Sequence, residues 1–282
     1  MDMIDITKID IKKLLDFDLL THSFPCTNIS VGGNQAGAFR NSGTASSLVW
    51  NVVDIIEIKK PKIIIFENVK NLVSKKFKPI LDDYITCLDK LGYTTSYKVL
   101  VGTDFGVPQR RERIFCVSIL GNKPFKFPIG SSTNKVLADI MEDNVESKYY
   151  LGKDRVERFK ASVEAGIFKK GSLAIGTTQE VSNFLKGSCS SNQWVYSADN
   201  VAPTLTRCMY KQPLQVAING GGILRKLTPK ECWRLMGFDD EEVDKLKDFS
   251  DTSLYKMAGN SVVVSILQAI FREMENQGIL TP

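Results

Sequence analysis

Between residues 18 and 120, short apolar runs alternate with stretches of helical periodicity, and this alternation is the strongest constraint on the fold. Asp18 to Phe24 (DLLTHSF) and Pro61 to Glu67 (PKIIIFE) read as strands, as do Tyr97 to Val101 and Arg113 to Leu120. Helical spacing runs from Leu48 to Lys59 and from Pro79 to Leu91. Such a chain is expected to place a mostly parallel sheet between helices, an α/β architecture. From about Gly121 to Gly222 the alternation stops, and Gly, Ser, Asn, Lys and isolated aromatics dominate. That predicts a second, smaller, irregular domain. Helical pattern returns at Thr228, where Thr228, Pro229 and Glu231 form a capping box, and a last helix is expected from about Ser261 to Asn276. The 282 residues, 43% hydrophobic and 24% charged, suffice for one large domain or two modest ones.

Composition removes several classes of function. Lysine and arginine total 37 against 32 acidic residues, a net charge of +5 that permits a nucleic acid partner without requiring one. No apolar run is long enough to span a bilayer, and the start MDMIDITKID has neither a basic region nor an apolar core. The expectation is therefore a cytoplasmic protein with no membrane partner. Cys26, Cys87, Cys116, Cys189, Cys208 and Cys232 are scattered without a CxxC pair, which argues against a disulfide framework and a zinc site, and no metal is expected. His22 is the only histidine, so any Ser-His or Cys-His scheme must use it.

Three segments carry reactive chemistry. Cys26 follows Pro25 directly after a predicted strand, and Glu67 ends the next one. In open α/β sheets the reactive crevice lies outside the carboxyl ends of the strands, so a thiol and a carboxyl would meet there. Taken singly, a Cys such as Cys26 is usually a small buried hydrophobe and a strand-end Glu such as Glu67 is usually solvated. The run Gly106 to Phe115 (GVPQRRERIF) puts Gln109, Arg111 and Arg113 on one face of an extended segment, a row suited to a phosphate or a base edge, or else a solvated strand start. Glycines at 32, 33, 37 and 43 soften Ser30 to Ser47 into a lid or a plain flexible connection.

Together these segments resemble the DNA cytosine-5 methyltransferase family. FPCTNIS looks like its Pro-Cys nucleophile motif, FENVKNL its Glu-Asn-Val motif, and VPQRRERIF its Gln-x-Arg-x-Arg motif; RKLTPKECWRLMGF and AGNSVVVSILQAIF match two late motifs. The resemblance implies a Rossmann-like S-adenosylmethionine-dependent sheet with a smaller target-recognition domain. It divides the chain into 1–121, the first part of the catalytic domain, 122–222 for target recognition, and 223–282 returning to the catalytic domain. It implies methyl transfer from S-adenosylmethionine to carbon 5 of a flipped-out cytosine in double-stranded DNA, in a bacterial or phage restriction-modification setting. Cys26 would attack carbon 6, Glu67 would hold ring nitrogen 3, and Arg111 would contact the base carbonyl. Asp5, Ile6, Pro25, Leu48, Asn260, Ser261 and Val262 match cofactor-lining positions. Ser30, Gly32, Gln109, Arg113, Thr204 and Leu205 match positions expected at DNA.

The resemblance has two departures. Thr27 stands where the family has Gln after Pro-Cys, and the family's opening Phe-x-Gly-x-Gly cofactor loop is not among these residues. The sheet is therefore expected to be N-terminally truncated, and three explanations stay open: a second polypeptide supplies the loop, the chain is a truncated remnant, or the start is misassigned or lost. The alternative is an inactive or partner-requiring DNA-binding fragment of a split methyltransferase. An RNA methyltransferase of the same family is a third reading.

Overall fold

The computed structural model describes residues 5–31, 33–40, 42–168, 174–186 and 193–280. In chain order the strands are β1 (Leu19–His22), β2 (Ile63–Val69), β3 (Tyr93–Val101), β4 (Gln109–Arg110), β5 (Glu112–Leu120), β6 (Ala174–Thr177), β7 (Trp194–Ser197), β8 (Ala202–Pro203), β9 (Gln215–Ile218) and β10 (Ile223–Lys226). The helices are α1 (Val49–Lys59), α2 (Lys78–Lys90), α3 (Lys153–Glu164), α4 (Val181–Leu185), α5 (Pro229–Arg234), α6 (Asp240–Asp244), α7 (Asp251–Asn260) and α8 (Val264–Asn276). Contacts divide the chain into a first unit of residues 1–100, 112–129 and 270–282 and a second of 101–111 and 130–269.

The first unit is built on a four-stranded sheet of order β1-β2-β5-β3. Ile63, Ile64, Ile65 and Phe66 are all buried, so β2 is covered on both faces, which is why its sequence is a continuous apolar run. The helices present stripes to this core: Val49, Val52, Val53 and Ile56 from α1, and Ile80, Leu81, Tyr84 and Leu88 from α2. Helix α1 stops at Lys60, whose φ of 49° is left-handed, just before Pro61. The sheet is mixed, not mostly parallel: β1 runs parallel to β2, but β2 pairs antiparallel with β5. The cause is local. The connection 102–111 holds only a short 3-10 turn and two strand residues, too little for the crossover helix that a parallel return needs.

The second unit carries a sheet of order β10-β9-β7-β6 and a short parallel pair, β4 with β8. The region read as irregular thus holds three strands of a regular sheet, each only four residues long, and the β6–β7 register shifts between Ala174 and Gly176. Strand β10 pairs antiparallel with β9 across residue 222, so contacts keep 223–269 with this unit. The capping box forms: Thr228 Oγ1 accepts from Glu231 N at 3.1 Å, and Thr228 N donates to Glu231 Oε2 at 2.8 Å. Glu231 also receives the buried Arg225 fork at 2.8 and 2.6 Å, a pairing its spacing did not reveal.

Candidate active site

Because β1 and β2 are parallel neighbours in the register His22↔Phe66, their carboxyl ends open on the same side of the sheet. Phe24 anchors the chain leaving β1. It is buried and stacks on Phe66 with ring centres 5.3 Å apart. Pro25 then leads into a single 3-10 turn, Cys26–Asn28, in which Cys26 O accepts from Ile29 N at 3.0 Å and Ser30 N at 2.7 Å. The free thiol of Cys26 is exposed, while the backbone around it is held. Asn68 Nδ2 donates to Phe24 O at 3.1 Å, Asn71 Nδ2 to Ile29 O at 2.6 Å, and the Ser46 hydroxyl to Pro25 O. Ser46 N donates to Asn28 Oδ1 at 3.0 Å. A side chain at Gly33 would put Cβ 1.8 Å from Thr27 O, so glycine is required there. None of Asn28, Ser46, Asn68 and Asn71 was singled out from sequence.

Glu67 lies one residue beyond the β1 pairing, opposite Phe115 of β5. Arg113 pairs with Val69, so it is diagonal to Glu67 on the same face. Its Nε sits 3.1 Å from Glu67 Oε1, with the two side chains 14% and 20% exposed. Ser23 Oγ reaches the other carboxylate oxygen at 3.4 Å. Burial draws Arg113 below the ordinary guanidinium range, and the neighbouring Glu67 carboxylate opposes that shift. Carboxylate and guanidinium therefore form one ion pair on this face of the sheet. His22, by contrast, is committed elsewhere: its Nε2 is 2.8 Å from Tyr84 OH, its ring stacks on Phe66 at 5.0 Å, and burial pushes it down to about 3.

A family profile described as C-5 cytosine-specific DNA methylase matches residues 1–276. The chain belongs to the C-5 cytosine-specific DNA methylase family. It is 40% identical over 272 residues to the type II methyltransferase M2.ScrFI of Lactococcus lactis subsp. cremoris, covering 96% of this chain and 70% of that one. It is 32% identical over 273 residues to M.HhaI of Haemophilus parahaemolyticus, covering 94% and 78%. The fold is similar to that of the Entamoeba histolytica methyltransferase EhMeth, with a TM-score of 0.72 at 18% identity over 99% of this chain and 83% of that one. The S. pombe Dnmt2 methyltransferase gives 0.65 at 16% identity over 97% and 83%.

Against the residues expected in this DNA methylase, the structure divides the predicted basic row. Arg113 stands with Glu67, whereas Gln109 and Arg111 are buried in the second unit. Gln109 Nε2 donates to Leu235 O at 2.8 Å, and its Oε1 accepts from Leu205 N at 2.9 Å. Arg111 donates to Leu205 O at 2.7 Å, Gly259 O at 3.1 Å and Ser261 O at 2.7 Å. Leu205 is buried as well, and Thr204 Oγ1 donates to Arg110 O at 2.7 Å. Ser30 is half-buried beside Cys26, and Gly32 lies outside the described residues.

S-adenosylmethionine is the methyl donor of this family, and the expected cofactor positions fall in both units. In the first, Asp5 caps a 3-10 turn through Thr7 N at 3.0 Å, Ile6 packs against the core, Pro25 is exposed and Leu48 half-buried. In the second, Asn260 is exposed and Ser261 and Val262 are half-buried. Asn260 and Ser261, with Trp233, Phe238, Val243 and Met257, line a cavity of about 500 Å³. The Trp233 indole N–H is buried with no hydrogen-bond partner among the described residues. The walls of this cavity are largely aromatic and apolar, which suits the flat face of a purine ring.

Proposed function

We propose that this chain transfers a methyl group from S-adenosylmethionine to carbon 5 of a cytosine flipped out of duplex DNA, through a covalent Cys26 adduct, in the bacterial cytoplasm as part of a restriction-modification system. The observation that carries this reading is the convergence of Cys26, Glu67 and Arg113 at the carboxyl ends of β1 and β2. Unaided, carbon 5 of cytosine is a poor nucleophile. The Cys26 thiolate adds to carbon 6, and the electron pair of the 5,6 bond moves toward carbon 5. Glu67 holds the proton at ring nitrogen 3 as charge develops, and Arg113, not Arg111, faces the base carbonyl as its electrostatic stabiliser. The cofactor supplies the electrophilic methyl group. Loss of the carbon 5 proton to a base then restores the double bond and expels Cys26.

The test is methyl transfer from labelled S-adenosylmethionine to duplex DNA of mixed sequence, with transfer RNA as the competing substrate. Label in DNA cytosine is expected. Label in transfer RNA alone overturns the DNA assignment. DNA binding without any transfer supports the silent-fragment alternative. One observation favours an additional segment in the working enzyme: the outer edge of β1 pairs with no strand among the described residues. We propose that a glycine-rich cofactor loop docks on that side, on a further segment or a second polypeptide. Co-expression with such a fragment is expected to raise S-adenosylmethionine affinity, and unchanged affinity contradicts it.

A further inference from the structure

We propose that Arg111 is a positioning residue that ties the Ala202–Thr206 segment to the Gly259–Ser261 turn, so that recognition segment and cofactor turn move as one body. The proposal rests on the functional reading only for which ligand meets each segment. Arg111 is 2% exposed, and its fork spends one amino group on Leu205 O at 2.7 Å and the other on Gly259 O at 3.1 Å and Ser261 O at 2.7 Å. Those carbonyls lie 94, 148 and 150 residues further along the chain. The same strip is held twice more, by Leu205 N on Gln109 Oε1 at 2.9 Å and by Thr204 Oγ1 on Arg110 O at 2.7 Å.

The contact is also steric. A Cβ at Gly259 would lie 2.4 Å from Thr206 O and 2.8 Å from Arg207 N, so the two backbones touch with nothing between them. A planar guanidinium presents its donors at fixed angles, so it meets three carbonyls only while both segments keep one relative position. Displacing either segment breaks charge-assisted bonds in a buried place, where no water replaces them. A ligand that settles Asn260 and Ser261 therefore also settles Thr204 and Leu205, and linkage makes the effect reciprocal.

Hydrogen exchange read by mass spectrometry tests this on the whole chain, without ligand and with S-adenosylhomocysteine. In the unaltered protein, peptides covering 203–207 and 257–262 are expected to open together at matching slow rates, and the ligand is expected to slow both. Arg111→Lys keeps the charge and loses the fork. It is expected to speed exchange in 203–207 at least about tenfold and to confine ligand protection to 257–262. Gly259→Ala leaves Arg111 in place, crowds Thr206 and is expected to separate the segments in the same way, which decides the matter if Arg111→Lys does not fold. Coincident rates in the folded variants, or ligand protection still shared by both segments, overturn the proposal. A ligand that protects neither segment in the unaltered protein overturns the cofactor assignment, while the ligand-free rates still decide the tie.

Discussion

Arg113 Nε stands 3.1 Å from Glu67 Oε1, joining two neighbouring antiparallel strands on a diagonal. Cys26 lies within electrostatic reach of the same guanidinium. Glu67 and Arg113 are thus held against each other before any base arrives, so little reorganisation of this pair remains for a reaction.

Glu67→Gln keeps the side chain's size and removes its charge and proton-holding capacity. Single-turnover methyl transfer is expected to fall about 10²- to 10⁴-fold, the usual range for a positioned acid or base. DNA affinity by fluorescence anisotropy should change only a few-fold. An unchanged rate contradicts the role of Glu67.

Arg113→Ala removes the cation paired with Glu67. The chemical step is expected to slow about 10²- to 10³-fold, as when one preorganised donor is lost. The salt dependence of DNA binding should hardly move, because a guanidinium already paired with Glu67 is not a free phosphate contact. A large fall in the salt slope with an unchanged chemical step would return Arg113 to the DNA-contact role suggested by sequence.

Much of this site was legible. PKIIIFENV announced a central strand because burial on both faces demands an unbroken apolar run, and Ile63 to Phe66 are buried accordingly. Pro25-Cys26 and Glu67 followed from the ends of adjacent strands. The different placements of Arg111, buried on three carbonyls, and of Arg113, paired with Glu67, were not legible. Alternation fixes which residues share a face, but not where a chain passes from one unit to the next, and that passage falls between them. Gln109 and Leu205 were expected at DNA and are instead bonded to each other, a pairing 96 residues apart that no spacing rule reads. The asparagine supports of the Cys26 turn escaped for the same reason.

Asn68→Ala tests one of those supports. It strips partners from Phe24 O and Val69 N, bonded at 3.1 and 2.8 Å, inside the core. Urea denaturation is expected to show a loss of about 1–3 kcal/mol, the cost of leaving buried polar groups unpaired. A neutral result would mean that the turn holds Cys26 without help from β2.

His22 makes the acid limb of stability. Its folded value is depressed from 6.5 to about 3, so between those pH values the unfolded chain binds a proton that the native chain refuses. Stability is therefore expected to fall as pH drops from 6.5 toward 3, by up to about 1.4 kcal/mol per pH unit from this proton. His22→Gln cannot titrate, and urea denaturation across that window should show a shallower slope. Identical slopes would place His22 in water.

The most direct test of the account is covalent capture. Duplex DNA in which 5-fluorocytosine replaces cytosine, incubated with the protein and S-adenosylmethionine under conditions that support transfer to ordinary duplex, is expected to give a denaturant-stable protein–DNA adduct, because fluorine blocks the loss from carbon 5 that releases the thiol. Peptide mapping should place the adduct on Cys26, and Cys26→Ser should form none while still binding DNA. An adduct that persists in Cys26→Ser, or active protein that methylates DNA but is never trapped, would contradict nucleophilic attack by Cys26.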